Sequence, residues 1–313
     1  MKKKIITVTL NPCLDKTISL NGFCEGGLNR AEAVRTDAGG KGINVAKVLK
    51  RFGSDVLALG VMGDRGSDVF YAELEQRNIS YDFLTISGGI RTNYKLFDSE
   101  KKQVTEINEP GFSLSEAEVL KLVLLIEKYL PEAAVMVLAG SMAPGIPKDM
   151  YNRLIMRAKA YGVKVILDAD GGALSSGLSA TPFAIKPNRF ELEQLADKTL
   201  SDEKDLLEYG QTLLDTGIAL LCVSLGQEGA LFMTREAAYR VIPAPIQCMS
   251  TVGAGDSMVA AIAFSTVMNM DLLKLSKMAT AAGSITASKP GTEVCSFEEV
   301  LAYQTLLTPK KIR

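Results

Sequence analysis

Residues 250–257 read Ser-Thr-Val-Gly-Ala-Gly-Asp-Ser, a glycine-rich turn that runs directly into an apolar helical pattern. Small residues let the backbone curl so that its N–H groups converge, and the positive end of the helix adds to the same point. Such a turn can stabilise negative charge, and Asp256 places a carboxylate inside it. This combination suits phosphoryl transfer to an alcohol, with Asp256 taking the hydroxyl proton. By itself, the stretch is equally compatible with an ordinary loop in which Asp256 caps the helix.

Outward from this turn, short apolar segments alternate with longer helical patterns along most of the chain. Alternation of this kind is typical of βαβ units, so we predict an α/β fold with a largely parallel sheet and helices on both faces. Predicted strands occupy 4–10, 56–61, 134–138, 163–167, 183–185 and 220–224, and predicted helices 42–52, 68–77, 116–129, 148–160, 201–215, 255–268 and 272–288.

Two segments, 16–36 and 81–107, interrupt this alternation. Both have β-leaning, alternating sequence with glycine turns and no helical period. We predict that the chain is one α/β domain over 1–313, into which these segments insert a small antiparallel sheet. Such a sheet could act as a lid over a site, as a dimerisation surface, or as both.

The amino-acid composition excludes several classes of function. The 313 residues include 35 Lys+Arg and 36 Asp+Glu, for a net charge of −1, so we expect no nucleic-acid partner. Histidine is absent, which excludes Ser-His-Asp and Cys-His catalysis and leaves carboxylates, lysine, tyrosine or cysteine as general bases. The five scattered cysteines indicate a reduced, cytoplasmic protein. No apolar run reaches membrane-spanning length, so no membrane partner is expected.

A second glycine cluster, residues 38–46, reads Ala-Gly-Gly-Lys-Gly-Ile-Asn-Val-Ala and leads into a helix. Gly39 and Gly40 allow the backbone to approach a ligand closely, Lys41 adds a positive charge, and Asn44 can bond to hydroxyls. A plain loop-to-helix turn with a solvated lysine is the alternative. The cluster also half-matches a dinucleotide fingerprint, although no strand immediately precedes it, and the chain has no Walker-type phosphate loop.

Further polar residues follow the first predicted strand and occur in the two inserted segments. Asp15 follows strand 4–10, where loops of open α/β sheets bind ligands, and could grip two sugar hydroxyls or simply shape a turn. Arg30 and Arg91, with Asn93 beside the latter, could bind a substrate phosphate, although surface arginines are common.

The middle of the chain carries candidates for metal and nucleotide binding. Asn188 and Glu191 follow the short strand 183–185 and would share a helix face, where their oxygens suit Mg²⁺ or merely begin a helix. The glycine turns 140–145 and 224–229 each close a strand and are flexible enough to admit a base or a phosphate.

Taken together, residues 39–46, 186–191 and 251–257 resemble the motifs of the ribokinase-like (PfkB) carbohydrate kinases, in the same order and over essentially the whole chain. The segments 9–15 and 91–93 are most similar to the branch that acts on hexose phosphates. The resemblance implies a ribokinase-like open, mainly parallel sheet with a small β-sheet lid. It further implies ATP and Mg²⁺ as cofactors, and a homodimer formed through the lid.

The resemblance also implies site residues. Asp256 would be the catalytic base, with the anion hole formed by Gly253, Ala254 and Gly255. The sugar phosphate would be bound by Asp15, Arg30, Gly39, Gly40, Lys41, Asn44, Arg91, Asn93 and Ser141. The nucleotide side would be lined by Lys186, Asn188, Ser224, Gly226, Gly229 and Thr251, and Mg²⁺ would be bound by Asn188 and Glu191.

The expected reaction is ATP-dependent phosphorylation of a ketohexose monophosphate to the bisphosphate. Fructose 1-phosphate is the favoured acceptor, and tagatose 6-phosphate or fructose 6-phosphate are alternatives. Two other classes are an NAD-dependent dehydrogenase and a non-catalytic sugar-phosphate sensor. Because Asp256 lies next to a helix N-terminus, we also expect the helix end to depress the pKa of its carboxyl group.

Overall fold

The computed structural model describes residues 3–313. The strands are β1 Lys4–Thr9, β2 Cys13–Leu20, β3 Ala33–Gly39, β4 Val56–Arg65, β5 Ser80–Gly89, β6 Arg91–Asp98, β7 Gln103–Asn108, β8 Ala133–Ala139, β9 Lys164–Asp168, β10 Ala184–Ile185, β11 Leu220–Ser224, β12 Ala230–Met233, β13 Ala238–Val241 and β14 Lys310–Lys311. The α-helices are α1 Lys41–Arg51, α2 Asp68–Gln76, α3 Glu116–Tyr129, α4 Met150–Ala160, α5 Gly171–Leu178, α6 Arg189–Ala196, α7 Glu203–Asp215, α8 Ala254–Val267, α9 Leu272–Ala287 and α10 Phe297–Tyr303. None of these helices is long and apolar enough to cross a membrane.

The larger of two sheets has ten strands in the order β14-β13-β12-β11-β10-β9-β8-β1-β4-β5. From β11 to β5 all neighbours pair in parallel, and β12 to β14 extend the sheet with antiparallel pairs. Alternate side chains of the strands enter different cores: Ile5 packs with α1, α2 and α8 to α10, and Ile6 packs with α3 to α7. The predicted α/β fold with helices on both faces is confirmed.

Two kinds of element escaped prediction: the short helices α5, α6 and α10, and the short strands β12 to β14 at one end of the large sheet. Helix α5 reads Gly-Gly-Ala-Leu-Ser-Ser-Gly-Leu, in which three glycines and two serines disfavour a helix. It is helical because Leu174 is buried against the core, so packing outweighs local propensity.

The smaller sheet has four strands in the order β3-β2-β6-β7. The prediction of a purely antiparallel sheet is wrong: β2 pairs with β6 in parallel, whereas β3 with β2 and β6 with β7 are antiparallel pairs. The segment 81–107 is also divided between two sheets: most of it lies in β6 and β7, but β5 pairs in parallel with β4 at the edge of the large sheet. Ile86 of β5 is buried in the main core. Alternating sequence does not distinguish such an edge strand from a strand of the small sheet.

The strand order reverses at β1, which lies between β8 and β4. Loops leave β1 and β8 in opposite directions at such a switch point and open a crevice at the carboxyl ends of the strands, where open α/β sheets bind ligands. Because β1 leads into β2, and β5 leads into β6, the small sheet begins at this same edge.

Candidate active site

The carboxyl edge of the large sheet supplies one polar side chain from each of five parallel strands or from the residues just beyond them. They are Asn11 after β1, Ser141 after β8, Asp168 at the end of β9, Lys186 after β10 and Ser224 at the end of β11. Convergence of strand ends therefore brings together residues that are far apart in the sequence.

Helix α8 begins at the glycine turn with which the sequence analysis opened. Gly253 is its N-cap in the left-handed conformation, with φ 76°, which glycine adopts without the Cβ penalty of other residues. No side chain of the described residues caps this end of the helix. Ala254 N donates to the Thr251 carbonyl at 3.4 Å, and the N–H groups of Gly255 and Asp256 remain available to an anion. Asp256 lies in the first turn and is not the cap, and the alternative that Asp256 merely caps α8 is wrong.

Asp256 is buried and is held by one side chain of α1. Asn44 Nδ2 donates a hydrogen bond of 2.9 Å to Asp256 Oδ2. Burial raises the pKa of the Asp256 carboxyl from 3.8 to about 6, although Lys41, the Asn44 hydrogen bond and Lys186 each act to lower it. The expected depressed pKa is therefore wrong: loss of hydration outweighs the helix end and the nearby cations.

Asp168 joins two of the predicted lysines and was missed by the sequence analysis. Its side chain is 1% exposed, with Oδ1 3.3 Å from Lys186 Nζ and Oδ2 3.5 Å from Lys41 Nζ. Burial alone would raise the pKa of Asp168, but the two lysines outweigh it and lower that pKa. Asp168 in turn raises the pKa of Lys41. With Asp256, these residues form a neutral group of two carboxylates and two ammonium ions. The signal in the sequence that could have identified Asp168 was a carboxylate at the end of a buried strand.

The same edge holds a second hydrogen-bonded group around Asn11. Its Nδ2 donates to Ser141 Oγ at 3.4 Å, and its carbonyl oxygen accepts from Arg91 Nη2 at 3.3 Å. Arg91 Nη1 also donates to Asn93 Oδ1 at 2.9 Å and to the Glu109 carbonyl at 3.2 Å. Asn11 thus brings together Ser141, Arg91 and Asn93, three of the residues predicted to bind the sugar phosphate.

Asp15 lies on β2 of the small sheet with its side chain almost fully buried. Its Oδ1 accepts a hydrogen bond of 3.4 Å from Asn93 Nδ2 and lies 3.4 Å from Lys95 Nζ. On the other side, a Cβ added at Gly39 would lie 2.6 Å from Asp15 Oδ2 and would displace the Asp15 carboxylate. Gly40, with φ 119°, is the N-cap of α1. Lys95 is a further residue that the sequence analysis missed.

Arg30 is not brought to these residues. It is exposed in the loop between β2 and β3, and it makes no hydrogen bond or ion pair with any other residue in 3–313. Its predicted role rests on the family resemblance alone.

Asn188 and Glu191 form a capping box at the start of α6. Asn188 Oδ1 accepts from Glu191 N at 2.8 Å, and Glu191 Oε2 accepts from Asn188 N at 2.9 Å. A helix-start role is therefore present. These oxygens also fit Mg²⁺, which takes few protein ligands and completes its shell with water and substrate phosphates. Residues 3–313 hold no group of three or more acidic or cysteine side chains arranged for a metal.

The remaining nucleotide-side candidates lie on the loops around Asn188. Ser224 forms a β-bridge with Asn188 at the ends of β10 and β11. Gly226 begins a short 3₁₀ turn, and a Cβ at Gly229 would lie 2.0 Å from the Val241 carbonyl oxygen, so packing alone requires this glycine. Thr251 is exposed just before the α8 turn.

A doubly wound sheet with a glycine turn and a buried carboxylate at its carboxyl edge suits a phosphotransferase of the carbohydrate-kinase class. The family model for pfkB family carbohydrate kinases matches residues 8–299. The chain belongs to this family.

Individual relatives agree with this assignment. The 1-phosphofructokinase of Xanthomonas campestris pv. campestris is 39% identical over 90% of this chain and 90% of its own length. That of Borreliella burgdorferi is 36% identical over 95% of each chain. Among solved structures, phosphofructokinase-2 from Escherichia coli in complex with substrates and products superposes with a TM-score of 0.91 at 29% identity, covering 97% of this chain and 99% of that one.

Proposed function

We propose that this protein transfers a phosphoryl group from ATP to a ketohexose monophosphate, with fructose 1-phosphate as the preferred acceptor. The observation that carries the reaction type is the buried carboxylate of Asp256 in the first turn of α8, next to N–H groups that no side chain caps. The acceptor is inferred from the relatives named 1-phosphofructokinase, which are the more similar in sequence.

In this mechanism the carboxylate of Asp256 accepts the proton of the attacking sugar hydroxyl. With a pKa of about 6 it is mostly ionised at pH 7, yet it is a stronger base than an ordinary aspartate. Asn44 holds it through Oδ2, which leaves Oδ1 to face the hydroxyl. The N–H groups of the α8 turn stabilise the charge that develops on the transferred group.

The lysine pair contributes positive charge on the same side. Lys41 and Lys186 are both held by Asp168, so their positions are fixed before substrate binds. We assign ATP to the loops that carry Ser224, Gly226, Gly229 and Thr251. Asn188 and Glu191 would hold Mg²⁺, which when bound neutralises phosphate charge.

We further infer that the small sheet is a lid and that two copies of the chain pair through it. Its register places Ile18, Val34, Tyr94, Leu96 and Ile107 on one face, because Ile18 pairs with Val34 and Leu96, and Tyr94 with Ile107. Val34 and Ile107 are 54% and 55% exposed in a single chain. A sheet with an apolar outer face is stabilised by covering that face with an equivalent one. Sedimentation of the purified protein tests this pairing: a dimer supports it, and a monomer contradicts it.

The acceptor is tested by measuring ADP release with ATP and Mg²⁺ on fructose 1-phosphate, fructose 6-phosphate and tagatose 6-phosphate in parallel. We expect kcat/KM to be at least about tenfold higher for fructose 1-phosphate, a difference of roughly 1.4 kcal/mol in transition-state binding. Preference for a 6-phosphate would keep the kinase and change the acceptor. Binding of these sugars without turnover would instead support the sensor, and binding of NAD in place of ATP would support the dehydrogenase.

A further inference from the structure

The two faces of the small sheet differ sharply in chemistry. Strand alternation and register place Asp15, Asn93 and Lys95 on the same face, because Asp15 pairs with Asn93, and Thr17 with Lys95. This polar face is opposite the apolar face that contains Ile18 and Leu96. Asp15 belongs to the sugar side of the candidate site, so Lys95 lies there as well.

The side chain of Lys95 is largely buried, although Lys95 lies in the small sheet and not in the main core. Its side chain is 12% exposed, and its Nζ lies 3.4 Å from Asp15 Oδ1. An ammonium group has three donors, and the contact with Asp15 uses one of them. The strand opposite places Glu106 beside Lys95, and Glu106 is exposed. Lys95 therefore presents unused donors next to the carboxylate that grips sugar hydroxyls.

The other cationic side chains predicted to bind the acceptor's phosphate are less well placed than Lys95 to do so. Arg91 donates to two backbone carbonyls and to Asn93, which occupies most of its guanidinium. Lys41 is paired with Asp168 on the side of the reacting group. Arg30 is exposed in a loop. An acceptor that already bears a phosphate needs a cation on the lid side, away from the transferred phosphoryl group.

From this geometry we propose that Lys95 binds the phosphate that the acceptor already carries, with Arg91 as its neighbour, and so selects sugar phosphates over free sugars. The inference rests on the proposed function, since it concerns the same acceptor. Lys95 leaves its contact with Asp15 when a sugar hydroxyl takes over that carboxylate. The ammonium group then turns toward the phosphate, whose oxygens are stronger partners in a partly dehydrated site.

A simpler role for Lys95 would be to hold Asp15 in place without touching the substrate. The two roles differ in which ligands they affect. A phosphate-binding lysine affects only the phosphorylated sugar, whereas a lysine that positions Asp15 affects phosphorylated and free sugars alike.

The experiment compares wild type, Lys95→Met, Lys95→Arg and the control Lys101→Met. Lys101 lies in the turn between β6 and β7, where it pairs with Asp98, so the control removes the same charge from the same hairpin away from Asp15. For each protein we would measure kcat, the KM for fructose 1-phosphate, the KM for ATP and the inhibition constant of unphosphorylated fructose. If wild type prefers another ketohexose phosphate, that phosphate replaces fructose 1-phosphate.

For Lys95→Met we expect the KM for the sugar phosphate to rise by about tenfold to a hundredfold, the range for losing a hydrogen bond to a charged group. The KM for ATP and the inhibition constant of fructose should each change by less than about twofold. Lys95→Arg should recover most of the loss, and Lys101→Met should match wild type. An unchanged ATP KM shows that the variant is folded.

Two results would overturn the proposal about Lys95 while leaving the kinase intact. One is an unchanged KM for the sugar phosphate in Lys95→Met. The other is an equal weakening of fructose and of the sugar phosphate, which would assign Lys95 to positioning Asp15. A wild type that phosphorylates fructose better than any fructose phosphate would instead contradict the proposed acceptor, and the Lys95 proposal with it.

Discussion

Replacing Asp256 with asparagine is expected to make the protein more stable and almost inactive. In the folded protein, burial raises the pKa of this carboxyl from 3.8 to about 6. Each unit of pKa corresponds to 1.36 kcal/mol, so keeping Asp256 ionised destabilises the fold by roughly 3 kcal/mol at pH 8. Asparagine is neutral and retains an oxygen acceptor for Asn44. We therefore expect the free energy of unfolding to increase by as much as about 3 kcal/mol.

The sign of the effect fixes its pH dependence. A carboxyl whose folded pKa is raised contributes stability below its unfolded pKa, and that contribution is lost as pH rises through the folded value. The difference between Asp256→Asn and wild type should therefore be near zero at about pH 4, grow up to about pH 6, and remain constant above about pH 7. Titrating groups that do not interact with Asp256 cancel in this difference, and the pKa of its neighbour Asp168 is lowered and that of Lys41 raised, away from this pH range.

Thermal unfolding of wild type and of Asp256→Asn from pH 4 to pH 8 measures this difference in stability. For a chain of 313 residues, the full effect corresponds to a rise in Tm of roughly 4 to 5 °C. Asp271→Asn is the matched control: Asp271 caps α9 and its hydrogen bond to Lys274 N lowers its pKa, so that variant should lose stability. The kcat of Asp256→Asn should fall by about 10²–10⁴, the range for a general base. A variant no more stable than wild type at pH 8, or one whose gain is the same at pH 4, would refute this reasoning.

Three further substitutions test other parts of the site. Asp168→Asn leaves the buried Lys186 and the partly exposed Lys41 without their shared counter-ion and should lower the free energy of unfolding by about 3 kcal/mol, measured by chemical denaturation. Because Asp168 also raises the pKa of the catalytic carboxyl, the acid limb of kcat should move to lower pH in that variant, and an unmoved limb would contradict the assigned coupling. Glu191→Gln keeps an oxygen for the α6 cap, so Tm should stay within about 1 °C while the Mg²⁺ concentration for half-maximal activity rises several-fold; an unchanged Mg²⁺ dependence would leave Glu191 as a helix cap only. Gly39→Ala places a Cβ against Asp15 and should raise the KM for the sugar phosphate by about tenfold or more without affecting that for ATP, whereas equal effects on both would argue against a sugar site there.

The large sheet was predictable because its strands carry their signal locally. A run such as β8, Ala-Ala-Val-Met-Val-Leu-Ala, is apolar throughout because helices cover both of its faces. Strands β12 and β13 have four residues each and β14 has two, too few to carry a periodic signal, so their own residues do not specify their pairing. The same limit explains β5, whose partner β4 is set by the fold and not by its own alternating pattern.

Within the candidate site, the sequence predicted the residues that belong to a local motif. It did not predict residues whose role depends on chain segments that come together only in the fold. Asp256 and Asn44 were both predicted, and the structure joins them by a hydrogen bond across 212 positions of sequence. Asp168 stands alone in the sequence, and its meaning appears only when two lysines from other segments converge on it. Lys95 is an ordinary surface residue until strand register turns it toward Asp15.

The error in the pKa of Asp256 has a physical cause that explains why the site is built as it is. A helix end stabilises a nearby charge by about 0.3–1 kcal/mol, and by about 2 kcal/mol in favourable buried geometry, whereas removing a carboxylate from water costs several kcal/mol. Burial therefore decides the sign, and the helix end and the two lysines only limit its size. The lysines cannot cancel it, because Asp168 already neutralises much of their charge. The result is a base with a pKa near 6, which is closer to the working pH than that of an exposed aspartate and thus better matched to removing a hydroxyl proton. In the proposed reaction, Asp168 would therefore have two effects: it would fix the lysines for the phosphoryl group, and it would keep them from making Asp256 too weak a base.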